Sequence, residues 1–206
     1  NNDKNQIVAL EAFLERRYER LSDTAILQDL LVKIRDLKRK GFTTKCLKFN
    51  LERKIVITGD GSSTIHLPEW DEQYHSKHGA IQEAYHVFIK HGLQFFLDCN
   101  MDFDKPISIL EIGFGTGLNA FITMLESEKL GISTDYTGIE AYPVVMDEIH
   151  QLNYPTQLHV TNGDKLFELL HLSHWDTQQQ TVPYFTLNKQ KKFFSEIKDT
   201  NAYNLI

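Results

Sequence analysis

The sequence predicts an α/β fold, with a mainly parallel sheet covered by helices and preceded by a helical extension and a β-hairpin. Three observations point there. From Pro106 onward, short apolar runs alternate with helix-length amphipathic stretches, the pattern of strand–helix units. Residues 54–58 (KIVIT) and 64–67 (TIHL) flank Gly59-Asp60-Gly61-Ser62-Ser63, a turn signal between β-prone runs. Before them, apolar residues recur at helical spacing over the first forty positions.

The elements follow in order. Ile7, Leu10, Phe13, Leu14, Tyr18 and Leu21 mark a helix over 7–21. Asp23 can cap a second, whose stripe is Ile26, Leu27, Leu30, Leu31, Ile34 and Leu37 and which Gly41 ends. Residues 1–50 are therefore read as an N-terminal helical extension, and residues 51–206 as the main domain. A polar stretch, Asp71 to Gly79, leads into a helix through about Leu97. Ser108–Ile112 is a strand, Leu118–Lys129 a helix, Tyr136–Glu140 a second strand and Val144–Leu152 a helix. Leu158-His159-Val160 is expected as a third strand, with a helix after Asp164 to Leu170. His174–Thr181 reads as the least structured stretch, Tyr184–Leu187 as an extra strand and Lys189–Lys198 as a helix. Ala202–Ile206 looks like the opening of a further strand, so the domain is expected to continue past it.

Composition narrows the class. The 206 residues are 41% apolar and 24% charged with five prolines, which excludes a disulfide scaffold, a collagen-like chain and a wholly disordered tail. Cys46 and Cys99 form no CxxC pair and fit a reduced, cytoplasmic compartment. No apolar run is long enough to span a bilayer. The net charge of −6 argues against indiscriminate nucleic-acid binding. Yet residues 33–54 carry nine basic and two acidic side chains, a local +7. Such a patch either positions a phosphate backbone or is a solvated helix end.

The sharpest feature is Ile109-Leu110-Glu111-Ile112-Gly113-Phe114-Gly115-Thr116-Gly117-Leu118. An apolar strand ends in an acid, a glycine turn follows, and a helix begins. Glycine lets backbone approach a ligand, and the helix start offers unpaired N–H donors. Glu140 ends the next strand, 29 residues after Glu111, where a carboxylate can accept hydrogen bonds from ribose hydroxyls. Asp164, in Asn162-Gly163-Asp164, is either an acceptor for an adenine amino group or a helix cap. The glycines run G-x-G-x-G, and Leu118 stands where a dinucleotide fingerprint needs its last glycine. An acid before the first glycine can orient an aminoacyl group through its ammonium or through loop amides. That points to S-adenosyl-L-methionine as cofactor.

The segment E111-I-G-F-G-T-G-L-N-A120 resembles motif I of class I S-adenosylmethionine-dependent methyltransferases, with their Rossmann-like core. Asp71-Glu72-Gln73-Tyr74-His75-Ser76-Lys77-His78-Gly79 through Glu83-Ala84-Tyr85-His86-Val87-Phe88-Ile89 is similar to the Y-x-S…G…E…V-F segment of one family, the methyltransferases of tRNA 5-methylaminomethyl-2-thiouridine biosynthesis. The likeness covers roughly residues 53–206. It implies methyl transfer to the primary amine of 5-aminomethyl(-2-thio)uridine at the tRNA wobble position, in the stand-alone form without an oxidase domain. A separate flavin-dependent oxidase would act upstream. It further implies that Gly113, Gly115 and Gly117 line the cofactor, that Glu140 binds its ribose and that Asp164 lies near its adenine. Tyr74, Ser76 and Glu83 would close or order the pocket. The family's candidate acid for the substrate amine lies just past the fourth core strand, an element Asn204-Leu205-Ile206 only enters. No catalytic residue is therefore assigned.

Two other readings are a methyltransferase of this fold acting on a small-molecule or protein amine, and an RNA-binding scaffold that keeps the cofactor fold. Nine histidines invite a metal reading, but there is no H-E-x-x-H and no Cys/His set, so no metal is expected. There is also no G-x-x-x-x-G-K-[ST] loop and no G-x-S-x-G elbow.

Overall fold

A computed structural model describes residues 52–68 and 71–206. The chain divides into two units, residues 1–53 with 67–72, and residues 54–66 with 73–206. The second holds the elements that build the site. The expected helices of residues 7–21 and 23–40, and residues 33–51 of the basic window, lie outside the described residues.

The hairpin forms as expected. Strand β1 (Lys54–Ile57) pairs antiparallel with β2 (Ser63–Leu67), Ile57 opposite Ser63, and a two-residue β3 (Glu72–Gln73) completes a small sheet. Asp60 explains the turn. Its carboxylate accepts hydrogen bonds from Thr58 Oγ1, from Ser62 N and Oγ, and from Gln82 N in the first turn of the following helix. Those donors help hold the Asp60 carboxyl below its usual range against the opposing effect of burial.

That helix is one rod of three parts: α1 (Ala80–Ala84), a π-helical segment (Tyr85–Gln94) and α2 (Phe95–Cys99). The apolar spacing locates it, but spacing does not reveal a π-helical stretch, which recurs at functional sites. A four-stranded sheet follows, of order β4–β5–β7–β6. Strand β4 (Ile107–Ile112) runs parallel to β5 (Thr134–Ile139), and β5 parallel to β7 (Phe185–Gln190), while β6 (Thr177–Val182) is antiparallel to β7. On the other side of β4, Leu110 N donates to Leu205 O at 3.0 Å and Asn204 N to Ser108 O at 2.8 Å. The strand opening expected at 202–206 is thus present as one parallel bridge, Ile109 to Leu205. This is a Rossmann-like arrangement.

Helix α3 (Leu118–Leu130) joins β4 to β5 and is buried on nearly every side, because it contacts the sheet (β5 and β7) as well as α1 and the π-helical segment. Gly117 opens it at φ +72° and Gly131 closes it at φ +66°. Inside that layer Ser127 and Thr134 share a 2.8 Å hydrogen bond, so neither hydroxyl is buried unpaired. The remaining helices are α4 (Met146–Ile149), α5 (Tyr154–Gln157) and α6 (Gly163–Leu172).

Three expectations fail for identifiable reasons. Leu158–Val160 is not a strand: Pro155 sits in the first turn of α5, Val160 N returns to Pro155 O at 3.2 Å, and His159 adopts φ +53°. The third parallel strand is β7 instead. Its buried positions are Phe185, Leu187 and Lys189, and the lysine disguises the period-two alternation. Lys189 is 1% exposed, with Nζ 2.5 Å from His171 O and 4.9 Å from the Trp175 ring, and burial lowers its pKa to about 8. Lys189–Lys198 is accordingly the end of a strand plus a short 3₁₀ turn at Phe194–Glu196, not a helix. Likewise the Gln-rich stretch is ordered as β6, an edge strand whose pairing with β7 outweighs weak local preference. The helix expected over Val144–Leu152 is confined to Met146–Ile149.

Candidate functional site

The site is built where β4, β5 and β7 end. Glycines 113, 115 and 117 all have positive φ, at +89°, +53° and +72°. Gly113 N and Phe114 N both donate to Ile139 O at 2.9 Å, so the loop leaves β4 pinned to the end of β5. Phe114 then turns into the core against Gly138, where a Cβ would come within 2.4 Å of its ring. Glycine in mid-strand is therefore what seats the loop.

Glu140, the residue after β5, faces this loop. Its Oε2 accepts the Gly115 N–H at 3.0 Å, its Oε1 accepts Tyr142 N–H at 2.8 Å, and its own N–H donates to Gln190 O at 3.0 Å. A carboxylate has about four acceptor positions, so two remain for hydroxyl donors. Glu111, the penultimate residue of β4, is 4% exposed. Asn119 Nδ2 donates to its Oε1 at 2.8 Å and Tyr136 OH to its Oε2 at 2.9 Å. Burial raises its pKa to about 8, against these two hydrogen bonds and with help from the Glu140 charge.

The segment Tyr74-His75-Ser76 crosses the loop. A Cβ on Gly115 would lie 3.0 Å from the Tyr74 ring. His75 Nε2 and Thr116 Oγ1 are 2.7 Å apart, and Tyr154 OH donates to the same Thr116 oxygen at 3.2 Å. Burial lowers the His75 pKa to about 4, so the ring is neutral at physiological pH. Ser76 N donates to Glu83 Oε2 at 2.7 Å, and Ser76 Oγ accepts from His78 N, shaping the turn that leads into α1.

Between this segment, the helical rod and the loop lies a cavity of about 290 Å³. Its acids are Glu83 and Glu111, its apolar wall includes Val87, Phe88 and Phe114, and among the described residues neither lysine nor arginine lines it. Of the residues expected at the site, Tyr74, Glu83, Glu111, Gly113 and Gly115 line this cavity. Glu140 touches the loop through the Gly115 amide, Gly117 ends the loop at the start of α3, and Ser76 acts through Glu83.

Asp164 is placed differently from the expectation. It follows a turn rather than a strand, is exposed in the first turn of α6, and stands seven residues, about 10 Å of helix, from His171. His171 is the side chain of α6 nearest the position a Gly117 Cβ would take. The residues at the end of the third parallel strand are Gln190, Lys191 and Lys192, and Phe193 meets Tyr142 edge-on with ring centroids 5.8 Å apart. Sequence reasoning also missed Asn119, Thr116 and Tyr142. Asn119 is legible only as the second residue of the helix after the glycines.

No family model matches the chain. Over 96 residues it is 34% identical to the tRNA 5-methylaminomethyl-2-thiouridine biosynthesis bifunctional protein MnmC of Leptospira interrogans, a match covering 46% of this chain and 15% of that protein. Over 84 residues it is 36% identical to the protein of the same name from Leptospira borgpetersenii, covering 39% and 13%. The chain thus spans about a seventh of the length of the curated relatives it matches. The crystal structure of MnmC2 from Aquifex aeolicus superposes with a TM-score of 0.51 and 21% identity, over 92% of this chain and 56% of that one. Over part of its length this chain is similar in sequence to the MnmC proteins of Leptospira, and over nearly all of it similar in fold to MnmC2 of Aquifex aeolicus.

Proposed function

We propose that this chain is a methyltransferase that uses S-adenosyl-L-methionine to methylate the primary amine of 5-aminomethyl(-2-thio)uridine at the tRNA wobble position, in the cytoplasm. The observation that carries the cofactor half is the Glu140 carboxylate 3.0 Å from the amide of Gly115, at the ends of neighbouring parallel strands. The residues present fit the cofactor. A Cβ on Gly113 would meet nothing within 4 Å, so the loop faces open space, and the described residues lining the adjoining cavity include two acids and neither lysine nor arginine.

In this reading Glu140 accepts the ribose hydroxyls, and Tyr142 and Phe193 offer an aromatic edge beside it. Gly113, Gly115 and Gly117 let backbone come close, and Tyr74 packs on Gly115 and keeps water from the loop. When bound, S-adenosylmethionine supplies an electrophilic methyl group on a sulfonium. Glu83 gives the cavity a negative charge that suits a cationic ligand, and a cation beside Glu111 would favour its ionised form. An ammonium has no lone pair, so the acceptor must lose its proton to react, and the apolar wall of Val87 and Phe88 favours the neutral amine. Asp164, exposed in the first turn of α6, and the residues after β7 are the candidates for the adenine side of the site. The acceptor half rests on the likeness to the MnmC proteins and on the basic window at residues 33–54.

The test is transfer of labelled methyl from S-adenosylmethionine to tRNA lacking this modification, followed by nucleoside analysis. The reading expects label on the 5-aminomethyl nitrogen. Label on a protein or small-molecule amine, with none on tRNA, contradicts the acceptor.

A further inference from the structure

We infer that β6 (Thr177–Val182) is a docking edge for a second copy of this chain, the two β6 strands pairing antiparallel about a two-fold axis at Gln179. The inference concerns the sheet edge opposite β4 and does not depend on the reading of the glycine loop as a cofactor site.

Three observations meet on this strand. Its outer edge is open. The sheet order β4–β5–β7–β6 puts β6 last, and among the described residues its ladder is with β7 alone. Every second residue of such a strand turns its backbone N–H and C=O away from its one neighbour. Among the described residues, no backbone bond beyond that ladder involves Thr177–Val182. Proteins ordinarily blunt an edge of this kind with lysine or proline. Here the strand TQQQTV carries no charge and no proline. Its one bulge, between Gln180 and Val182, leaves Thr177–Gln180 in even register with β7.

The sequence of the edge matches itself. Residues 177–181 read T-Q-Q-Q-T in either direction. An antiparallel pair centred on Gln179 sets Gln178 opposite Gln180 of the second copy, and Gln179 opposite Gln179. A two-fold contact requires a patch complementary to itself, whereas a strand of another protein has no reason to fit this palindrome. Facing glutamines form side-chain ladders, and no like charges meet. The pairing works whichever residues turn their backbone outward. Either the Gln179 pair exchanges both hydrogen bonds, or the two Gln178–Gln180 pairs do.

The third observation is a missing partner. Gln179 Nε2 is buried without a hydrogen-bond acceptor, a state that native proteins rarely leave unexplained. Across the two-fold the Gln179 Cα atoms stand about 4.5–5.5 Å apart, so each amide can donate to the other's Oε1. Joined in this way, the four strands of each copy make one continuous sheet. The two β7 strands then run antiparallel to each other, so the two glycine loops open at opposite ends of the pair.

So short a contact belongs to the weak class, and sedimentation equilibrium of the full chain should show reversible dimerisation between roughly 10 µM and 1 mM. Gln178 and Gln180 are exposed, so charges placed there test the register without burdening the fold. Gln178→Glu combined with Gln180→Lys sets opposite charges face to face at two symmetric pairs, and should tighten the dimer by about two- to thirty-fold. Gln178→Lys combined with Gln180→Lys sets like charges there and should weaken it by a similar factor. Hydrogen exchange locates the contact: protection of the outward β6 amides should rise with concentration in the wild type and not in the like-charge variant. A wild type that stays monomeric at about 1 mM overturns the inference. So does a dimer of equal strength in all three proteins, or one whose β6 amides exchange alike at low and high concentration.

Discussion

Replacing Glu111 by Gln should change how stability depends on pH, by an amount and with a sign that its surroundings fix. Burial holds its folded pKa near 8, against 4.5 for a free glutamate. Below pH 4.5 both folded and unfolded chains keep the proton, and this residue gives no pH dependence. Between 4.5 and 8 the unfolded chain releases the proton and the folded chain holds it, so stability falls as pH rises. Above 8 both are ionised and the penalty is complete. At 1.36 kcal/mol per pH unit the full difference is at most roughly 5 kcal/mol, and relaxation of the site lowers it. Glutamine keeps an acceptor for Asn119 Nδ2 and offers a donor to the Tyr136 oxygen, so the variant retains the geometry without the charge. Urea unfolding of both proteins at pH 5, 7 and 9 measures the difference, in which every other titrating group cancels. The variant should gain on the wild type by a few kcal/mol between pH 5 and 9. Parallel curves would refute the claim that this acid is desolvated.

Gly138→Ala puts a methyl group 2.4 Å from the Phe114 ring. It should cost about 1–3 kcal/mol in denaturant unfolding and weaken cofactor binding by displacing the loop. His75→Phe removes the 2.7 Å bond to Thr116 Oγ1. It should lower stability by on the order of 1 kcal/mol, seen as a reduced denaturant midpoint, with a larger loss in Thr116→Val because that change leaves both His75 Nε2 and Tyr154 OH without this partner. Charge reversal at Lys38, Arg39 and Lys40 should weaken tRNA binding in a salt-dependent filter assay without changing cofactor affinity.

What the sequence made legible is what depends on local chemistry. The glycines at 113, 115 and 117 need positive φ, the Asp60 turn needs its hydroxyl donors, and Glu140 follows a short strand buried at all but one of its positions. These stand where they were expected. What it hid depends on partners far along the chain. Lys189 breaks the apolar alternation of β7, and only the His171 carbonyl and the Trp175 ring explain a buried lysine there. With that strand masked, Leu158-His159-Val160 looked like the third strand, and Asp164 was read as the residue that follows it. Asn119 shows in the sequence as an ordinary polar residue of a helix start. Its unpaired oxygen exists only once Glu111 and Tyr136 have fixed the amide.

The central claim, that the carboxylate after β5 and the glycine loop together hold a sulfonium nucleoside, is tested most directly by calorimetric titration of S-adenosylmethionine into the wild-type chain and Glu140→Ala. The account predicts saturable one-to-one binding to the wild type and at least a ten-fold loss in the variant, at unchanged thermal stability to within a few degrees. Equal affinity in both proteins, or no binding to the folded wild type, would contradict it.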